Sequence, residues 1–151
     1  MVCFVSGQKP KSIQAGGGVG AYKQRLQQEF EQYKGIFSNL PLTDNLYSKI
    51  IYIHANSSEI DVDNMSKPFV DAFKGIIYPD DNIINHRICS KIKFDDLDLY
   101  ELQIDLLPIE VIEELDRLIT DKNPHISYFE IGVFSPEMVF FGGVKNAAYE
   151  S

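Results

Sequence analysis

The stretch DVDNMSKPFVDAFKGIIYPDDN, residues 61–82, sets Asp61 and Asp63 two apart, Lys67 four further on, and the pair Asp80 and Asp81 beyond an amphipathic segment. Two aspartates at that spacing in an extended chain project to one side. Carboxylates gathered in one place repel one another unless a cation sits among them. Three hard oxygen ligands suit Mg²⁺ or Mn²⁺, which keep several waters and take phosphate oxygens in the open positions. Lys67, near the start of the following helix, would add a fixed positive charge where a phosphoryl oxygen becomes more negative. An EF-hand is excluded, because its sixth position would be Ser66 rather than glycine and its twelfth Ala72 rather than glutamate. The competing reading is structural: carboxylates favour a helix N-terminus, and Pro79, Asp80, Asp81 and Asn82 make an ordinary turn.

The elements that must position these groups are legible in the periodicity. VCFVS reads as a short strand, and QKPKSIQAGGGVG after it as a loop with Lys9 and Lys11 near its start. Gly16 and Gly18 do not complete a dinucleotide-binding turn, since Ala21 stands where a third glycine is usual. Tyr22, Leu26, Phe30 and Tyr33 form one stripe and predict a helix over 21–34, with Gly35 placed to end it. YSKIIYIHA, residues 47–55, predicts a strand running toward Asp61. Met65, Phe69, Ala72, Phe73 and Ile76 predict a helix over 65–75, capped by Asn64 or Ser66, with Lys67, Asp71 and Lys74 on its outer face.

Residues 83–94 alternate strictly. Ile84, His86, Ile88, Ser90, Ile92 and Phe94 face one way, and Asn85, Arg87, Cys89, Lys91 and Lys93 the other, which makes one strand face basic. After the turn DDLD, LYELQIDLL over 99–107 places Tyr100, Leu102, Ile104 and Leu106 on one face and predicts an antiparallel hairpin. In that hairpin Lys91 and Lys93 would either line a phosphate surface or pair with Glu101 and Asp105. Pro108 opens a helix with an apolar stripe from Val111 to Ile119, and HISYFEIGVF and MVFF read as two further strands.

The length of 151 residues suits one domain. No apolar run approaches the ~20 residues of a membrane span, and the N-terminus lacks the layout of a signal peptide, so the expected location is the cytoplasm. Cys3 and Cys89 have no spacing that suggests zinc or a disulfide framework. The net charge of −8 opposes a nucleic-acid partner only until its distribution is read. Residues 1–94 hold 11 basic against 9 acidic side chains, a net of +2, whereas residues 95–151 hold 3 against 13, a net of −10.

The stretch 61–82 resembles the signature of the RusA family of Holliday junction resolvases: D-x-D-N, a lysine four after the second aspartate, a helix containing D-A, and a D-D pair before a strand. The likeness extends more loosely over the first strand, the first helix and the hairpin ending near Leu107. It implies an α+β fold, a small mixed α/β RusA-like domain with an antiparallel or mixed sheet packed by helices, as a single domain over 1–151 with a core of about 1–107 and an acidic C-terminal extension, 108–151. It implies a homodimer that cuts branched, four-way DNA by paired symmetric nicks with Mg²⁺ or Mn²⁺. By motif matching, Asp61, Asp63 and Asp81, with Asp80 beside it, would hold the metal, and Lys67 would be the catalytic lysine. Lys9, Lys11, Arg87, Lys91 and Lys93 would face DNA. Two alternatives stand beside this: a non-cleaving DNA- or protein-binding module on the same fold, and a metal-dependent hydrolase of nucleotides or other phosphate esters.

The acidic third admits three roles: a solvated face distant from DNA, a surface for a basic protein partner, or a mimic that covers the DNA groove. The first requires a polarised molecule, with Glu110, Glu113, Glu114 and Asp116 on the side away from Asp61, Asp63 and Lys67, beyond a Debye length of ~8 Å at physiological salt.

Overall fold

Four runs rich in β-branched and aromatic residues become strands: β1 (Val2–Ser6), β2 (Leu46–His54), β3 (Ile84–Lys93) and β4 (His125–Val133). Three amphipathic runs become helices: α1 (Val19–Lys34), α2 (Ser66–Ala72) and α3 (Ile109–Thr120). The structure is a computed structural model and describes residues 1–11, 18–55, 60–98 and 102–143. The strands form one mixed sheet in the order β1-β4-β2-β3. β4 pairs antiparallel with β1 and with β2, and β2 pairs parallel with β3. The fold is the α+β arrangement expected.

One face of the sheet carries an aromatic core. The register aligns Phe4 with Phe129, Phe129 with Ile50, and Ile50 with Cys89, so these side chains share that face. Phe4 stacks on Phe129 at 5.0 Å between ring centroids and meets Phe30 of α1 at 5.4 Å. Phe69 of α2 stacks on Phe129 at 4.5 Å. The stripe predicted for α1, Tyr22, Leu26, Phe30 and Tyr33, is wholly buried. Each buried side chain of this size contributes about 1.5–3 kcal/mol, which is large against a typical net stability of about 5–15 kcal/mol. Both α1 and α2 are therefore anchored firmly over the sheet.

Three expectations are corrected. Residues 108–151 are no appendage to a core ending near 107, because they contribute β4, which lies between β1 and β2. The hairpin after β3 does not form among the described residues, where β2 is the strand partner of β3 and residues 102–107 are not extended in a sheet. Ile104 and Leu107 instead pack against the core at a helical spacing, with the Leu107 amide bonded to the Ile104 carbonyl, and this leaves Leu106 88% exposed. Tyr100 and Glu101 lie outside the described residues. MVFF likewise makes no strand: Pro136–Met138 closes a single 3₁₀ turn and Val139, Phe140 and Phe141 are exposed.

The other face of the sheet is organised around a carboxylate. Glu130, 7% exposed, accepts hydrogen bonds from the hydroxyls of Tyr47 and of Tyr128, the latter at 2.5 Å, and Lys49 Nζ stands 3.8 Å away. Burial, followed by the Glu130 bond, pushes both phenols above their ordinary range. The neighbouring Cys3 thiol is pushed up to about 11, chiefly by burial. Gly132 makes room for this arrangement, since a methyl group there would sit 2.5 Å from the Tyr47 ring. Gly132→Ala is expected to displace Tyr47, strip one donor from Glu130 and destabilise the protein by about 1–3 kcal/mol. Denaturant unfolding measures it, and an unchanged midpoint would show that the ring relaxes freely.

Candidate active site

A parallel strand pair cannot be joined by a tight turn, so the chain between β2 and β3 must cross over the sheet. That crossover holds every residue of the stretch 61–82. It leaves β2 at His54, and by Ile60 it has reached β3, where Lys91 Nζ donates to the Ile60 carbonyl at 2.9 Å. Asp61 and Asp63 follow in and beside a 3₁₀ turn, Val62–Asn64, which packs against β3. Both carboxylates are exposed, and neither is ion-paired among the described residues.

The turn runs straight into α2. Neither Asn64 nor Ser66 caps the helix by a side-chain bond, and Met65 occupies the capping position with helical dihedrals. Where a cap was expected, the preceding turn satisfies the chain itself, through Asn64 N–H to Asp61 O at 3.0 Å and Met65 N–H to Val62 O at 3.3 Å. α2 also stops sooner than the apolar spacing predicts, at Ala72, whose carbonyl accepts from Gln27 Nε2 of α1 at 2.7 Å. Lys67 lies on the outer face one turn from Asp71, with its Nζ 3.4 Å from Asp71 Oδ2. This is an exposed i,i+4 pair, the kind worth about 0.3–0.5 kcal/mol.

Asp80 and Asp81 stand where the crossover re-enters the sheet, in and before the 3₁₀ turn Asp81–Ile83 that leads into β3. Both face Lys74, whose Nζ lies 3.1 Å from Asp80 Oδ1 and 3.9 Å from Asp81 Oδ1. The Lys74 ammonium, then the Asp81 contact, hold the Asp80 carboxyl below its usual range, and the Asp80 bond raises the Lys74 ammonium in return. Arg87 of β3 has its Nη1 3.4 Å from Ser66 Oγ, and its charge acts on Cys89, as that of Asp63 does, and on Tyr78, as that of Asp81 does.

The structure thus brings Asp80 and Asp81 to Lys74, Lys67 to Asp71, and Asp61 and Asp63 to the middle of β3. It does not gather Asp61, Asp63 and Asp81 into one ligand set: among the described residues no three His, Cys, Asp or Glu side chains form a group that could hold a metal ion. The donors present do not fit a closed protein cage. Exposed carboxylates in ones and twos are what magnesium uses when water and phosphate oxygens fill the remaining positions. The cations that surround them come from one strand face. Arg87, Lys91 and Lys93 alternate with the neighbours of Cys89, and the register puts that face on the side of the sheet that carries α2. Lys93 is aligned with His54, and the Lys9 charge acts on His125, the next neighbour in the sheet, so Lys9 marks the same end. Lys11 lies two residues beyond it, partly exposed. Lys74 is the charge beside Asp80 and Asp81 that the sequence reading places only on an outer helix face. Only the parallel crossover reveals that position.

α3 packs at the far edge. It buries Val111, Leu115 and Leu118 and lies against β1, whereas the aspartates lie along β3. Three strand spacings separate these edges, about 14 Å, which exceeds the Debye length of ~8 Å. Glu110, Glu113 and Asp116 are exposed there, while Glu114 and Asp121 bracket Arg117.

Fold and site together define a small α+β domain in which a strand, helix and strand crossover strings aspartates along a basic strand. The chain matches the family model of endodeoxyribonuclease RusA over residues 17–104 and belongs to that family, which comprises endonucleases that resolve Holliday junctions. The matched span runs from α1 through β3 and omits β1, α3 and β4. A search of curated proteins finds none that matches the chain. Among the described residues no helix is long and apolar enough to cross a membrane.

Charge reversal at the far edge, Glu113→Lys with Asp116→Lys, is expected to leave affinity for a synthetic four-way junction nearly unchanged in fluorescence anisotropy at physiological salt. A large gain in affinity would mean that the acidic helix covers the DNA surface.

Proposed function

We propose that the protein is a metal-dependent endonuclease that resolves four-way DNA junctions by paired symmetric nicks, acting as a homodimer in the cytoplasm. The observation that carries this reading is the placement of Asp61 and Asp63, exposed and without an ion pair among the described residues, beside β3, which presents Arg87, Lys91 and Lys93. Membership of the RusA family supplies the substrate class. A DNA backbone laid along β3 would meet the cations first, and they would hold a phosphate against the two carboxylates. Asp61, Asp63 and Asp81, with Asp80 alongside, are the residues that would hold Mg²⁺ or Mn²⁺. When bound there, the ion supplies an activated water and offsets charge on the scissile phosphate. Lys67 would turn from Asp71 to the phosphate, where its charge is worth more than in a solvated helix pair. Two nicks related by a two-fold axis need two such sites, which is the reason for a dimer.

A second reading, a non-cleaving module on the same fold, draws support from a specific feature. Lys67 is engaged by Asp71 and Asp81 by Lys74, so two of the four motif side chains are occupied within the protein. An assay of four-way junction, duplex and single-stranded DNA, with and without Mg²⁺ or Mn²⁺, separates the two. Paired nicks in the junction alone support resolution, and tight binding without nicks supports the module.

Within the nuclease reading, Asp63→Asn should abolish nicking while junction binding is kept or tightened, since it removes a metal ligand and a phosphate-repelling charge together. Lys67→Ala should cost at least tenfold in nicking rate, about 1.4 kcal/mol of barrier, yet only about 0.3–0.5 kcal/mol of stability. Normal turnover in either variant would place the chemistry elsewhere. Replacing Arg87 and Lys91 by Gln should flatten the slope of log affinity against log salt by about 2. An unchanged slope would exclude β3 from the phosphate contact.

A further inference from the structure

Lys74 occupies a position that the local backbone was shaped to give it. After α2 ends, Phe73 leaves helical dihedrals and Gly75 adopts φ +82°, a conformation that L side chains rarely take. The Gly75 amide then donates to the Tyr78 carbonyl at 2.7 Å, and Lys74 and Tyr78 lie side by side as bridge partners. The Tyr78 hydroxyl, buried, fastens this return to the Val70 carbonyl of α2. The chain comes back on itself, and Asp80 and Asp81 arrive beside the Lys74 ammonium. Asp80 Oδ1 is fixed twice, by Lys74 Nζ at 3.1 Å and by the Asp81 amide at 2.8 Å. The same ammonium, 3.9 Å from Asp81 Oδ1, draws that carboxylate toward the turn.

We propose that Lys74 is a positioning residue: the resident counter-ion that holds Asp80 and Asp81 back in the DNA-free protein and yields Asp81 to the site when a divalent ion and a backbone phosphate arrive. The proposal rests on the metal-dependent reading above. It accounts for two facts together, the absence of a ready three-carboxylate group among the described residues and the pairing of one motif aspartate with a lysine outside the motif. The exchange is feasible because the Lys74–Asp81 pair is long and partly exposed, with Lys74 51% and Asp81 28% accessible, and such pairs are weak and screened. An ammonium is a compact charge on a flexible stem with three donors, so once displaced it can turn to a phosphate oxygen without moving the backbone.

The test is a titration of the DNA-free protein with Mn²⁺, followed by the electron paramagnetic resonance signal of the unbound ion. It compares the wild type with Lys74→Met, Lys74→Gln and Lys74→Arg. The two neutral variants should bind Mn²⁺ about two- to fivefold tighter, the range expected for releasing one exposed pair, and the arginine variant should match the wild type. Loss of the phosphate contact should also flatten the salt slope of junction binding by about 1 in the neutral variants. A lysine that merely steadied the turn would lower thermal stability in all three and leave Mn²⁺ affinity where it was. Equal or weaker Mn²⁺ binding in both neutral variants overturns the proposal but not the metal-dependent reading. Absence of Mn²⁺ binding in every protein overturns that reading and the proposal with it.

Discussion

The parallel pairing of β2 with β3 is the constraint on which the rest depends. Had these strands been antiparallel, a short turn could have joined them, and the carboxylates would have had no surface to lie on. Parallel pairing forces about thirty residues to travel from one end of the sheet back to the other, in the usual manner of such connections. The route fixes where the charges fall. The first aspartates drop onto the middle of β3, the helix lifts Lys67 away from the sheet, and the second pair closes the loop at the entrance of the same strand. The strand that receives the crossover is also the one whose exposed positions are cationic.

Packing sets how firmly this route is held. Phe69 and Phe73 of the crossover enter the ring cluster around Phe4, Phe30 and Phe129, so the apolar side of α2 is part of the central core. The polar side is held by little. Lys67 and Asp71 exchange one weak pair, and the Lys74 pairs are half in water. A scaffold of this kind fixes Cα positions closely while leaving the charged ends of side chains free to change partners. That division suits a site that must be assembled around a large polyanion.

Much of this was legible in the sequence because burial is periodic. The α1 stripe reports one packed face and is wholly buried, whereas the alternation through β3 separates exposed Asn85, Arg87, Lys91 and Lys93 from an apolar side of which only Ile84 is buried. What the sequence could not supply was partnership. LYELQIDLL has the alternation of a strand, but Ile104 and Leu107 found a better burial at a spacing of three, and β3 found its neighbour in β2. β4 has ordinary strand composition, and nothing in it announces that a segment outside the matched family span would lie between the first two strands. Asp61, Asp63 and Lys67 stand out as candidates from type and spacing. Lys74 does not, since its place beside Asp80 and Asp81 comes from a left-handed glycine and a tyrosine hydroxyl that turn the chain back toward it.

The separation of α3 from β3 has a consequence for how the molecule behaves as a charged object. A net charge of −8 describes a body that migrates as an anion, yet the excess is carried by residues 95–151, and the helix among them faces outward at one edge. At distances comparable with the width of the sheet, such a body acts less as a point charge than as an electric dipole, and a polyanion exerts a torque on it before it exerts a pull. The protein would rotate to present β3 and turn α3 away, so encounters are aligned in advance. The same asymmetry would let it adhere to an anion exchanger through one edge and to a heparin-like polyanion through the other, a combination that an isoelectric point of about 4.8 would not suggest.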